Sequence, residues 1–229
     1  MPSPKEGDIV RARHLALFLI VATTLASACL SAGCSSNANS TVPDQVPSAS
    51  GSPSAAPASA FGQATSKKYG LAIRYPLGWV SSAREIKAGD KAGSALISIT
   101  WADPKGKVVG GGFVDLLHVS VYALSRPVKP GDVTRYKGDF KAIAYSMIKG
   151  LPGLALSGPI KPVTVNGTTG FQVTYAYQVS GTRAGAMSYL LPKGKYAYWV
   201  TGQSSAATWS TSWTKLTPAM ASFTITAQK

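Results

Sequence analysis

Between Phe171 and Val179 the chain alternates without a break. Phe171, Val173, Tyr175, Tyr177 and Val179 fall on one side, and Gln172, Thr174, Ala176 and Gln178 on the other. A period of two belongs to an extended chain whose side chains point to opposite faces, so this run predicts a long strand. Val163-Thr164-Val165 followed by Asn166-Gly167 reads as a hairpin leading into it. The same alternation recurs at Tyr69, Leu71, Ile73 and Tyr75, at Ala95, Ile97, Ile99 and Trp101, and at Leu117, Val119, Val121 and Ala123. Met187, Tyr189 and Leu191 and then Tyr196, Tyr198 and Val200 predict two further strands, joined by Pro192-Lys193-Gly194-Lys195. These connections are too short for crossovers, which makes the meander antiparallel.

Two segments change to the helical period. Val133, Tyr136, Phe140, Ile143 and Met147 form one apolar stripe, with Asp132 near its start and Gly150 beyond its end. Trp209, Trp213, Leu216 and Met220 form a second, and Pro218 within it is expected to bend or end that helix at Thr217. A short strand carrying Phe223 and Ile225 follows. Strands covered by helices argue for an α+β sandwich.

The domain so outlined occupies residues 62–229, long enough for one sizeable core. Ahead of it, residues 34–61 are built from Ser, Ala, Pro and Asn, with Asp44 as the one charge. That segment shows no apolar periodicity and cannot offset its ordering entropy, so it is expected to be a disordered tether. As a flexible coil it would reach roughly 30 Å.

Residues 1–33 have the form of an export signal. Arg11 and Arg13 are the positive region, Leu15 to Ala26 the apolar region, and Leu30-Ser31-Ala32-Gly33-Cys34 a lipobox. The apolar run is short for a bilayer span and is interrupted by Thr23, Thr24 and Ser27. Cleavage before Cys34 would leave that thiol to carry the acyl chain (palmitate or similar) and hold the protein at the outer face of a cell membrane. Cys29, which also follows small residues, is the competing position. No other cysteine exists, so no disulfide or cysteine metal site is expected in the mature protein.

The chemistry-bearing residues are few. His14 leaves with the signal, and His118 remains, on a predicted strand between Leu117 and Val119. There is no Gly-x-Ser-x-Gly elbow, and Gly110-Gly111-Gly112 lacks the Lys-Ser/Thr of a phosphate loop and reads as a hairpin or loop. Beyond the tether the acids are Glu85, Asp90, Asp103, Asp115, Asp132 and Asp139, without a pairing that suggests catalysis. No catalytic residue, cofactor or metal is therefore expected. Charge is the remaining feature: residues 61–229 hold 20 Lys and Arg against 6 Asp and Glu, a net +14. Arg135, Lys137, Lys141 and Lys149 are candidate contacts to a polyanion. An exported address argues against nucleic acid.

The stretch Tyr69 to Trp79, Tyr-Gly-Leu-x-Ile-x-Tyr-Pro-x-Gly-Trp, resembles the opening of the PsbP-like domains, the LpqN–LpqT type of actinobacterial lipoprotein among them. The likeness continues in Val165-Asn166-Gly167-Thr168-Thr169-Gly170, in a helix with Trp209 and Trp213, and in Ser222-Phe223, with Pro218 as a departure. It implies an antiparallel sheet of about six to eight strands with helices packed on both faces. It implies binding or assembly rather than a shared catalytic motif. The expectation is a non-enzymatic, lipid-anchored envelope protein that binds an envelope protein, anionic lipid or wall polymer. Trp79, Trp101, Tyr175, Tyr177, Tyr196, Tyr198 and Trp199 would line an apolar ligand site if one exists, and most of them are more simply read as core. Trp199, on the face opposite Tyr198, is expected to be an exposed contact, with Trp79 a second candidate. The alternative is an envelope hydrolase of ester or glycan with His118 as its base.

Overall fold

The computed structural model describes residues 60–85, 95–129 and 131–226. The expected signal, the expected tether up to residue 59, Cys29, Cys34, Lys87, Asp90 and Lys91 lie outside the described residues, and Phe61, given to the tether above, opens the first strand. The elements are β1 (Phe61–Ser66), β2 (Leu71–Pro76), β3 (Val80–Glu85), β4 (Ile97–Ala102), β5 (Val108–Val109), β6 (Gly112–Phe113) and β7 (Leu116–Val128). Then come α1 (Asp132–Arg135), α2 (Lys137–Ser146), β8 (Ala155–Leu156), β9 (Lys161–Val165), β10 (Thr168–Val179), β11 (Thr182–Ser205), α3 (Trp209–Ala221) and β12 (Thr224–Ile225).

The main sheet runs β3-β4-β7-β11-β10-β8, with β9 also on β10. A small sheet has the order β1-β2-β12, and β5-β6 form a separate hairpin. Every pairing is antiparallel. This is the antiparallel α+β arrangement that the alternating runs predict.

β11 is 24 residues of extended chain, which would span about 80 Å if straight. The Ser188 and Thr201 hydroxyls are nevertheless 2.7 Å apart, and the Ala206 amide reaches the Arg183 carbonyl at 3.0 Å. The run therefore folds back on itself near Lys193-Gly194, where Gly194 has φ +57°. Its first arm pairs with β10 and its second with β7. The hairpin expected at Pro192-Lys193-Gly194-Lys195 is this turn.

Alternation along the strands divides the apolar residues between two cores. Leu117, Val119 and Val121 of β7 join Met187, Tyr189, Tyr198 and Val200 of β11 in the first. Leu71 and Ile73 of β2 and Leu216, Ala219 and Met220 of α3 complete it. Phe171, Val173, Tyr175 and Tyr177 of β10 join Leu190, Ala197 and Trp199 of β11 in the second, with Val133 of α1 and Phe140 and Ala144 of α2. The small sheet is tied to the large one by the buried Tyr198 hydroxyl, which donates to the Tyr69 carbonyl at 2.6 Å.

Two helical expectations are corrected. The stripe from Val133 to Met147 is broken at Tyr136, whose φ −108° and ψ 35° leave the helical region and separate α1 from α2. Pro218 does not end α3, which continues to Ala221. Proline removes one donor, whose partner would be the Thr214 carbonyl on the exposed side of the last turns, where water can replace it. The helix end is instead held from outside: Asn166 Nδ2 donates to the carbonyls of Ala221 (2.8 Å) and Phe223 (2.9 Å).

The Asn166-Gly167-Thr168-Thr169-Gly170 element now has a physical reading. Asn166 and Gly167 have φ +44° and +76°, the left-handed pair required by a two-residue hairpin. Gly170 answers to space instead. A Cβ there would stand 2.1 Å from the Leu190 carbonyl oxygen of the neighbouring strand.

Candidate functional site

The antiparallel registers place one polar row across the main sheet. Ser82 of β3 stands opposite Thr100 of β4, Thr100 opposite His118 of β7, and His118 opposite Thr201 of β11. The Thr201 hydroxyl meets Ser188 of the other arm at 2.7 Å, and Ser188 meets the Tyr175 hydroxyl at 3.1 Å. Both imidazole nitrogens of His118 are engaged: Nδ1 with the Thr100 hydroxyl at 2.8 Å and Nε2 with the Ser120 hydroxyl at 2.7 Å. Ser120 also lies 2.8 Å from the Ser98 hydroxyl. Helix α2 packs over β10, while Ser82 on the outer strand is exposed and Ser98, Thr100 and His118 are half-buried.

Burial disfavours the imidazolium and pushes the His118 pKa down to about 4, so the ring is neutral at neutral pH. Tyr175, buried beside Ser188, is pushed up to about 12 by the same loss of solvent. The row is thus a neutral hydroxyl–imidazole array with one solvent-facing end.

His118 and Ser120 have the spacing of a nucleophile and base, but not the rest of that chemistry. Ser120 is 1% exposed. Its hydroxyl is shared with Ser98, and the group on Nδ1 is a threonine hydroxyl rather than a carboxylate. Acyl transfer would also need donors aimed at an oxyanion, whereas the amides flanking these residues belong to the paired ladders of β4, β7 and β11. Asp115, an acid that a triad could have used, is committed elsewhere. It is fully buried and accepts from the Ser204 hydroxyl (2.5 Å), the Ser205 amide (3.0 Å), the Lys107 amide (2.6 Å) and the Thr208 hydroxyl. Burial opposes its ionisation, yet those donors together hold its carboxyl below the ordinary value. It clamps the 103–115 excursion to the start of α3.

The basic candidates separate. Lys137, Lys141 and Lys149 follow one another at four- and eight-residue intervals along α2 and the turn after it. Tyr145, 45% exposed, lies between them. Arg135 lies apart, over the ring of Tyr136 (5.3 Å to the centroid), which it shares with Arg126 at 5.1 Å. Beside that ring a shallow cleft is lined by Leu124, Asp132, Asp139 and Phe140.

Burial corrects the exposure expected of Trp199 and places the other aromatic candidates. Trp199 is 3% exposed and belongs to the second core, beside Leu190 and Phe171. It was expected to be exposed because it lies opposite Tyr198, but that face of the sheet carries a core of its own. Trp79 is 8% exposed and packs in the first core. Trp101, Tyr175, Tyr177 and Tyr198 are likewise buried, and Tyr196 packs half-buried against the first core.

Two features were not singled out from the sequence. The Asp115 clamp had one local signal, a lone acid between Val114 and Leu116. The hydroxyl row had none, because it exists only once five segments are in register. Among the described residues no group of three or more His, Cys, Asp or Glu could hold a metal ion, and no helix is long and apolar enough to cross a membrane.

No family model matches the chain, and no curated protein does. Solved structures do. Cyanobacterial PsbP (CyanoP) of Synechocystis sp. PCC 6803 is similar with a TM-score of 0.50 at 14% identity, over 76% of this chain and 98% of that one. LpqN of Mycobacterium tuberculosis, described as involved in cell envelope biogenesis, gives 0.42 at 17% identity, over 69% and 83%. A protein of Bacteroides thetaiotaomicron VPI-5482 gives 0.42 at 11% identity, over 72% and 48%. By its likeness to cyanobacterial PsbP, the described domain has a PsbP-like fold.

Proposed function

We propose that this chain is a lipid-anchored binding protein of the bacterial cell envelope. It is held by an acyl chain on Cys34 and presents a PsbP-like domain, with helices covering both faces of the main sheet, to an anionic envelope component. The observation that carries the binding role is unbalanced charge. Against the domain's 20 basic and 6 acidic residues, the described residues form two salt bridges, Lys68–Glu85 and Lys215–Asp103. Lys137, Lys141 and Lys149 keep their ammonium groups for a partner, and Tyr145 adds an amphipathic ring among them.

The test is an in-cell crosslinking pull-down of the full-length protein beside a Lys137→Glu, Lys141→Glu, Lys149→Glu variant and a Cys34→Ala variant. A partner recovered with the wild type, reduced at least about tenfold in the triple variant and released as salt rises, supports the reading. Recovery that is equal in all three proteins and indifferent to salt would sink it.

A further inference from the structure

Among the described residues six large apolar side chains are exposed: Leu77 (57%), Val80 (48%), Val108 (50%), Phe113 (37%), Tyr145 and Leu156. The first four lie on segments that meet at one end of the main sheet. The Leu77 amide donates to the carbonyl of Ala60 at 3.0 Å, so Leu77 lies where the N-terminal segment joins the fold. Val80 opens β3 three residues later and stands opposite Ala102, the last residue of β4. From Ala102 the chain leaves the sheet for the 103–115 excursion and returns at Leu116, which is the partner of Ala102. The excursion carries β5 and β6, where Val108 and Phe113 are directly opposite each other.

One face of that hairpin leans on the domain through Val109, which packs against the second core, and the other face is left to solvent. The base of the hairpin is clamped: the Asp103 amide bonds the Asp115 carbonyl at 3.0 Å, the Val114 amide bonds the Lys107 carbonyl at 2.8 Å, and the Asp115 carboxylate is buried against Ser204, Ser205 and Thr208. Val114 at the base is fully buried and already supplies the interior. Its tip turns through Gly110 and Gly111, with φ +58° and +80°. A pair of two-residue strands has no core of its own, so the exposed Val108–Phe113 pair serves neither the fold nor the hairpin. The charge around it is positive. Lys105 and Lys107 are exposed, Asp103 is turned toward Lys215 at 3.7 Å, and Asp115 is buried.

We propose that this end of the domain docks onto an anionic lipid bilayer. Val108, Phe113, Leu77 and Val80 enter the headgroup layer, and Lys105 and Lys107 meet the lipid phosphates. An apolar tip flanked by lysines suits that interface, where buried apolar area and attraction to anionic headgroups add. The occupant follows from where the chain joins: a tether of about 26 residues ending at Ala60 would hold this end at an average of roughly 30 Å from an acylated Cys34. Two weak attachments then act as one, because the first raises the local concentration for the second. The inference rests on the lipid-anchor reading of Cys34.

The test is hydrogen–deuterium exchange on the full-length acylated protein in phosphatidylglycerol/phosphatidylcholine vesicles, in pure phosphatidylcholine vesicles and in detergent, with vesicle flotation run alongside. Docking predicts that amides of residues 104–114 and 77–80 exchange at least about tenfold more slowly on the anionic vesicles alone, with α2 unchanged. Val108→Asp/Phe113→Asp should abolish that protection while still floating. A protein that floats with its hairpin exchanging as in detergent overturns docking and leaves the anchor standing. Loss of flotation in the wild type overturns the anchor itself. Protection that appears without vesicles and rises with protein concentration assigns the patch to a second copy and overturns docking as well.

Discussion

His118 is more informative as a half-buried neutral base than as a catalytic one. Its pKa falls from the usual 6.5 to about 4 because the ring is desolvated between Thr100 and Ser120. A folded-state pKa below the unfolded value means that the unfolded chain binds the extra proton between those two pH values. Stability is therefore full above about pH 6.5 and declines as pH falls toward 4, by at most about 1.4 kcal/mol per pH unit from this one group. The denaturant midpoint of the wild type should drop between pH 6.5 and 4.5, and a His118→Gln variant should show a shallower decline over that window. Parallel curves for the two proteins would mean that the ring titrates normally and that the row is more open than its contacts indicate. Trp199 teaches a related lesson. It shares the second core with Phe171 of β10 and Phe140 of α2, which are distant in the chain, and nothing in its neighbours Tyr198 and Val200 announces that core.

At the scale of elements, what was legible was what is local. Alternation predicted β2, β4, β7, β10 and both arms of β11, and Asn166-Gly167 predicted the hairpin before β10, because side-chain period and left-handed φ are set within a few residues. The break at Tyr136 and the survival of α3 past Pro218 were not legible: the first shows only in the dihedrals of Tyr136, and the end of α3 is held by Asn166, 55 residues before Ala221. The two glycines that frame Thr168 and Thr169 allow this distinction to be measured. Gly167→Ala should cost about 1 kcal/mol, because it only forces a side chain into a left-handed turn with open space around it. Gly170→Ala must push β10 away from the Leu190 carbonyl, and its cost should exceed the upper end of ordinary overpacking, about 3 kcal/mol. Equal losses in urea unfolding would show that the close approach of β10 to the first arm of β11 is softer than it looks.

For the whole molecule, the excess of positive charge acts on folding and on binding in opposite senses. A domain at +14 with two ion pairs among its described residues repels itself when compact. Added salt shortens the screening length from about 30 Å at 0.01 M to about 10 Å at 0.1 M. That is enough to quiet repulsion between charges spread over α2, the β11 turn and the β5–β6 hairpin. The folded state should gain stability over that range, so the thermal midpoint should rise with sodium chloride. Retention on anionic vesicles should fall over the same range, because the field that destabilises the fold is the one that attracts the surface. An anchored protein should lose only the electrostatic part and keep what the acyl chain and the apolar hairpin tip supply. Thermal unfolding and vesicle flotation across one salt series, for the wild type and Lys105→Glu/Lys107→Glu, separate these contributions. The double variant should unfold at a higher temperature at low salt and float less well on anionic lipid. If both proteins instead move together in both measurements, the charge on the hairpin is incidental to membrane contact.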